Sequence, residues 1–445
     1  MNTWNIILKQ SNKDLFDVPI TSNEKKLIIN LEKAGGTEAM LSSNVFTEMH
    51  KHKLSYGSDV DDLLNLAMGV YTIDQVVSRE HYGFMGWSRH FKLFVTVYEP
   101  DKWNPCKGSI EDLLSFLSGD KWEINFRQRN ESLKRLKFSF DPNPKKIQIV
   151  SLFSGGMDSF VGAVDLLVDK IKVGFVSHYK RGIESSVQAR LYQELRKKFG
   201  KECFVSYQFY VQPNQNHNDT TKEASSRARS FLFMCLGLGV ANSLGKNVDF
   251  VIPENGLISL NIPLTGTRLS SHSTRTTHPY YFKMFKDFVS AIGIENQIIN
   301  PYQFHTKGEM MEQCKDQLLL KKLGPQTLSC SHPDHSRWAG YSPGSHCGYC
   351  VPCLIRQAAE MKSRVTGTRY IHNVIKAPPS QTTQSGSDIR AFKLALERME
   401  RKSDISIIFD ILSSGPVPFK DESELKKYVN LYKRGMNEVK KLLKM

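Results

Sequence analysis

The chain has 445 residues, 40% hydrophobic and 24% charged, with a net charge of +15. This is the composition of a soluble globular protein long enough for two or three domains and a sizeable core. The longest apolar stretch, Phe231 to Leu244, is too short and too rich in small residues to cross a bilayer, so a core helix and no membrane partner are expected.

The opening residues MNTWNIILKQSNKD lack a basic segment, an apolar segment and a cleavage site in succession, which predicts a cytoplasmic protein. Residues 1–145 mix strand-like runs (Phe91 to Tyr98, Trp122 to Phe126) with helical ones (Asp61 to Met68, Ile110 to Leu117), and an N-terminal α+β domain is expected. Asp141 to Lys146 reads as a linker. From there to about residue 372 the pattern alternates. Strands are expected at 147–153, 172–178, 203–211 and 248–252, with helices at 159–169, 184–199 and 222–244. Such alternation predicts an α/β core: a parallel sheet with helices on both faces and ligands at the carboxyl ends of its strands. Residues 373–445 read as a breaker-rich linker followed by helices. The excess positive charge suits nucleic acid, ATP or an acidic protein surface. Near the end, however, Lys426, Lys427, Lys433, Arg434, Lys440, Lys441 and Lys444 alternate with inward-facing Tyr428, Leu431, Val439 and Leu442, as on a solvated helix face.

The stretch IQIVSLFSGGMDS, residues 147–159, runs from an apolar strand into a glycine loop and then a helix. Adjacent Gly155 and Gly156 let the backbone approach an anion, where the free amides at a helix start carry partial positive charge. Ser154, Met157 and Ser159 complete this phosphate cradle. Asp158 would repel a phosphate but suits a magnesium ion that bridges phosphates. Beyond it, Cys330, Cys347, Cys350 and Cys353 have the spacing of a closed, structural zinc site. His332, His335 or His346 could take the place of Cys330 among these ligands.

The residues SGGMDS match the signature of the PP-loop ATP pyrophosphatases, which resembles neither a Walker loop nor a dinucleotide fingerprint. Together with the cysteines, the chain is similar to the 7-cyano-7-deazaguanine synthase (QueC) family over about residues 147–360. Thr306-Lys307-Gly308-Glu309 resembles that family's (S/T)-K-x-E stretch, and Leu328-Ser329-Cys330 its entry to the first zinc cysteine. Arg227 and Arg229 fall where the family has an arginine-containing turn. The extra segments at both ends, and Glu254-Asn255-Gly256, look like the QueC-like proteins of Qat and cyclic-nucleotide (CBASS) anti-phage operons.

The resemblance implies an adenine nucleotide alpha hydrolase-like core, AMP-forming ATP chemistry and a 7-deazaguanine carboxylate as substrate. Amide formation would follow, with the N-terminal amine of a partner protein as acceptor in a defence protein, or ammonia and a nitrile product in queuosine-type synthesis. It makes Asp158, Ser159 and Lys307 the candidate catalytic residues, with Arg227 and, at the strand edge, His178 on the nucleotide. Glu254 could read a guanine-like base, and Arg268 and Arg275, set among hydroxyls, could form an anion-binding lid. Two other readings stand beside this one. They are a PP-loop enzyme that modifies tRNA, and a zinc-stabilised nucleic-acid-binding or assembly protein.

Overall fold

The computed structural model describes residues 3–31, 41–129, 143, 145–179, 182–214, 223, 225–264, 275–334, 336, 340–376, 379–380 and 383–445. Its first five strands are β1 (Thr3–Lys9), β2 (Glu24–Asn30), β3 (Leu41–Ser43), β4 (His90–Val97) and β5 (Lys121–Gln128). All but β3 form one sheet in the order β2-β1-β4-β5, and every pairing in it is parallel. An α+β domain was the expectation for this region. The sheet is parallel because each strand is reached by a long crossover, with helices Ser58–Val76 and Lys107–Ser118 supplying the later ones.

The second sheet holds β6 (Ile149–Leu152), β7 (Val173–Tyr179), β8 (Phe204–Pro213), β9 (Asp249–Val251) and β10 (Ile298–Ile299). Its order is β10-β9-β6-β7-β8-β3, with β3 antiparallel to β8 and the remaining neighbours parallel. The strands of this sheet's centre are buried on both faces and mostly apolar; β7 is buried from Val173 to His178, with Ser177 and His178 the polar residues among them.

Helices Ser58–Val76 and Arg229–Leu244 pack against each other between the sheets, and a single apolar cluster runs from Trp4 and Leu8 through both helices to Phe250. The approach is close enough to dictate sequence. A Cβ on Gly237 would stand 2.2 Å from the Phe250 ring on β9. Helix Met157–Val168 covers the other face with Ile183–Phe199, around Phe153, Phe160 and Tyr192. Helices Ser387–Glu400, Asp404–Ser413 and Glu422–Leu443 build a third cluster on Leu354, Ile355 and Leu257. Among the described residues no helix is long and apolar enough to cross a membrane.

The helix expected over 222–244 begins at Arg229. The preceding residues bind the N-terminal region instead. Glu223 N–H donates to Gln75 O at 3.1 Å, Gln75 Nε2 to Ser225 O at 2.8 Å, and Ala228 N–H to Asp74 Oδ2 at 2.9 Å. Asp74 belongs to a fully buried ion cluster. Its Oδ1 meets Arg79 Nη2 at 2.9 Å and Arg89 Nη2 at 2.8 Å, while Asp120 Oδ2 meets the same two groups at 2.7 and 2.6 Å.

Candidate active site and metal centre

The strand order reverses at β6, with β7 and β8 on one side and β9 and β10 on the other. Connections that leave such a point diverge and open a crevice at the carboxyl ends. Residues 153–156 enter it after β6, and residues 252–255 after β9.

Gly155, with φ +84°, turns the first of these segments back on itself, a conformation that a side chain would strain. Ser154 Oγ accepts from Gly156 N–H at 3.2 Å and lies 3.1 Å from Ser159 Oγ, while Gln188 Nε2 holds Ser154 O at 3.0 Å. Helix Met157–Val168 starts here, and the amides of a first helical turn have no intrahelical acceptor, so the loop suits an anion. Leu328 N–H donates to Gly155 O at 2.9 Å and Met157 N–H to Ser329 Oγ at 3.2 Å. The segment leading to Cys330 is thereby tied to the loop.

Asp158 is buried and its Oδ1 forms an ion pair with the buried Lys307 Nζ. Asn255 donates to Oδ2 through Nδ2 at 2.7 Å and through its backbone N–H at 3.3 Å. Burial would raise the Asp158 carboxyl, but Lys307, Glu254 and Asn255 more than offset it and hold the group below its ordinary range. Glu254 responds oppositely: burial, then the neighbouring Asp158 charge, push it well above the carboxylate range. Two adjacent carboxyls whose environments drive them in opposite directions are a recurrent basis for acid–base and cation chemistry.

Glu254 lines a cavity of about 410 Å³ whose walls also include Ser154, Ser159, Arg229, Glu184 and Cys330, while Asp158 and Lys307 are buried beside it. Its size suits a small molecule. A larger depression of about 570 Å³ lies at the opposite edge of the strands beside Gln148, Lys246 and Asp249, where neither the loop nor the cysteines reach.

Not every expected residue reaches the cavity. Arg227 points toward the N-terminal region, where Nη1 donates to Ser118 O at 2.8 Å and the guanidinium lies 3.9 Å from the Trp87 ring centre. Burial, with Arg79 nearby, lowers its pKa to about 10. The cavity arginine is Arg229, paired with Glu184 Oε2 at 2.7 Å. The offset follows from the helix beginning only at Arg229, after Asp74 and Gln75 have drawn the preceding residues away. His178 is fully buried behind Arg229, whose Nε lies 3.4 Å from His178 Nδ1, and it packs edge-on against Tyr71. Arg275 donates to Phe116 O at 2.9 Å and covers the Phe116 ring, whereas Thr276 and Thr277 line the cavity. Arg268 and His335 lie outside the described residues. Gln188 carried no signal in the sequence, since nothing distinguishes it from other polar residues of its helix.

The cysteines converge. Ligand atoms of Cys330, His332, Cys347 and Cys350 all lie within 4.8 Å of one another, and Cys347 Sγ is 3.9 Å from Cys353 Sγ. A tetrahedral zinc–sulfur site has sulfurs about 3.8 Å apart, so the cluster could bind a metal such as zinc. Cys330 joins despite its distance in sequence, and its sulfur accepts backbone N–H bonds from His332 at 3.3 Å and Cys347 at 3.4 Å, contacts that steady a metal-bound thiolate. Cys350 stands at the N-cap of helix Val351–Ser363 and Cys353 lies in its first turn, where the helix dipole favours negative sulfur. His346 faces elsewhere, 3.1 Å from Thr327 O, and burial lowers its pKa to about 3.

Cys350→Ser is expected to lower the melting temperature by several degrees and to reduce bound zinc from about one per chain. An unchanged melting curve with no zinc in either protein would refute a structural metal. Compared with protein-family models and with curated proteins, the chain matches none.

Proposed function

We propose that the protein is an AMP-forming, ATP-dependent ligase of the PP-loop type that activates a 7-deazaguanine carboxylate and passes it to an amine. The observation that carries this reading is the SGGMDS loop opening a helix at the reversal point of a parallel sheet, with Ser154, Ser159 and Glu254 lining one cavity and the buried Asp158–Lys307 pair beside it.

In this reading the loop amides and the hydroxyls of Ser154 and Ser159 hold the β and γ phosphates of ATP, and Asp158 holds magnesium. Magnesium supplies charge neutralisation on the phosphates. The fit is chemical: the Asp158 carboxyl is held below its ordinary range and is paired with a single ammonium, Lys307, a donor set that suits a magnesium-bridged phosphate. A substrate carboxylate oxygen attacks the α phosphorus, the bond to the β phosphate breaks, and pyrophosphate leaves. The amine then attacks the acyl carbon, and AMP departs. Glu254 lines the cavity, and its side-chain carbonyl oxygen is an acceptor for one N–H of a guanine-like base. Zinc at Cys330, Cys347, Cys350 and Cys353 would hold the Leu328–Ser329 segment against the loop.

A thiolating tRNA enzyme needs an accessible reactive cysteine; Cys347, Cys350 and Cys353 are buried in their own cluster, and Cys330, which lines the cavity, would be held by the same metal. Nucleic-acid binding through the C-terminal helix is also disfavoured. Lys426 pairs with Glu422, Lys433 with Asp404, Arg434 with Glu309 and Lys440 with Glu400, so much of that positive face is already neutralised.

The test is incubation with ATP, magnesium and 7-carboxy-7-deazaguanine, with ammonia in one arm and a candidate partner protein in the other, following AMP, pyrophosphate and product mass. Equal AMP and pyrophosphate with a mass gain on the partner supports a protein acceptor. A nitrile in the ammonia arm assigns the small-molecule synthase. ADP in place of AMP would overturn the adenylation chemistry.

A further inference from the structure

The helix Lys307–Glu312 has a complete cap of its own, because Thr306 Oγ1 accepts from Glu309 N–H at 3.0 Å and Glu309 Oε2 accepts from Thr306 N–H at 2.9 Å. Such a reciprocal pair is enough to start a helix. Yet a further carboxylate is inserted at the same place. Glu438, buried on helix Glu422–Leu443, accepts the Thr306 hydroxyl proton at Oε1 and the Gly308 N–H at Oε2, the latter at 3.3 Å. Those two residues flank Lys307. Lys362 Nζ balances the charge at 3.1 Å from Glu438 Oε1, and Arg434, one turn earlier, reaches Glu309 at 2.7 Å and Phe304 O at 2.8 Å. The contact leaves no room for a side chain: a Cβ on Gly308 would stand 2.6 Å from Glu438 Oε2.

The same helix backs the other partner of Asp158. Leu431 packs on Gly256, where a Cβ would lie 2.5 Å from its Cδ2, and Gly256 follows Asn255, which holds Asp158 Oδ2. Both groups that fix the Asp158 carboxylate are therefore braced by one helix, and the brace beside Lys307 is a buried charge. Burying a carboxylate is costly unless its hydrogen bonds are all met, and here they are met by the residues on either side of Lys307.

We infer that Glu438 is a positioning residue, which sets the Lys307 ammonium against Asp158 and holds it for the leaving pyrophosphate; this rests on the ATP site proposed above. The C-terminal region is then part of the reaction centre rather than an appendage to it.

Magnesium pyrophosphate affinity by calorimetry, and the acylation rate of Lys307 by acetic anhydride labelling with peptide mass spectrometry, test the assignment in the full chain. Glu438→Ala is expected to weaken magnesium pyrophosphate about tenfold or more and to raise Lys307 acylation by a similar factor, since a displaced ammonium loses its partner and its shielding. Glu438→Gln, which keeps an acceptor in place, should restore most of both. In a Lys307→Ala background the Glu438→Ala change should cost no further affinity.

Fully additive losses, or unchanged Lys307 acylation in Glu438→Ala, would overturn the assignment in favour of a packing role. If the alanine variant does not fold, Glu438→Asp, which withdraws the carboxylate from Thr306 and Gly308 while leaving the Thr306 cap in place, is read in the same way. A wild-type protein that binds neither ATP nor pyrophosphate refutes the ATP site, and the acylation rates then decide the Glu438–Lys307 link alone.

Discussion

Asp158→Asn is expected to reduce pyrophosphate release by at least about a hundredfold, the usual cost of removing a group that organises charge at the reacting centre. It should do so with little loss of stability, and the reason lies in its neighbour. Replacing one member of a buried ion pair normally strands the other. Here Lys307 would be stranded, but the charge of Asp158 is, after burial, a cause that holds the neighbouring Glu254 carboxyl well above the carboxylate range. Once Asp158 is neutral, Glu254 can ionise and take over the ammonium. The variant should melt close to wild type, and Asp158→Asn/Glu254→Gln, with both carboxylates gone, should melt well below either single change. Thermal melts and a quantitative AMP and pyrophosphate assay check both halves. Wild-type turnover in the single variant would remove Asp158 from the reaction.

The second large effect is on stability. Asp120→Ala removes the carboxylate that meets Arg79 at 2.7 Å and Arg89 at 2.6 Å in a site closed to water, and a loss of about 3–5 kcal/mol is expected by denaturant unfolding. The sign with pH follows. Burial would raise the Asp120 carboxyl, but Arg89 and then Arg79 more than compensate and lower it. Its contribution is therefore complete above the unfolded-state value of about 3.9 and is lost as pH falls through the depressed folded value. The variant should lose less stability than wild type between pH 5 and pH 2, taken as about the span of an aspartate titration. A destabilisation below about 1 kcal/mol would mean that the guanidinium groups find water or other partners.

The parts of this molecule legible in the sequence are those in which a short run of residues carries its own physics. The strand at Ile149, the glycine loop and the helix after it follow from apolar run, φ requirement and amphipathic spacing, and each lies within two residues of its expected bounds. The cysteines likewise announce themselves by spacing. What local pattern could not supply is partnership across the chain. Lys307 meets Asp158 from 149 residues away, and Glu438 meets Thr306 from 132. Strands β1 and β2 escaped notice because β2 is polar at its start and the segment joining them carries no helix. Arg227 and Arg229 differ by two positions, and only the capture of the residues before them by Asp74 decides which one faces the cavity.

Every residue of the first long helix from Val60 to Val76 is buried. An element with no outward side has no surface of its own to fall back on if either neighbour is removed. The N-terminal sheet and the core are thus halves of one interior, and a chain shortened to the core would display along Arg229–Leu244 an oily strip that water does not tolerate.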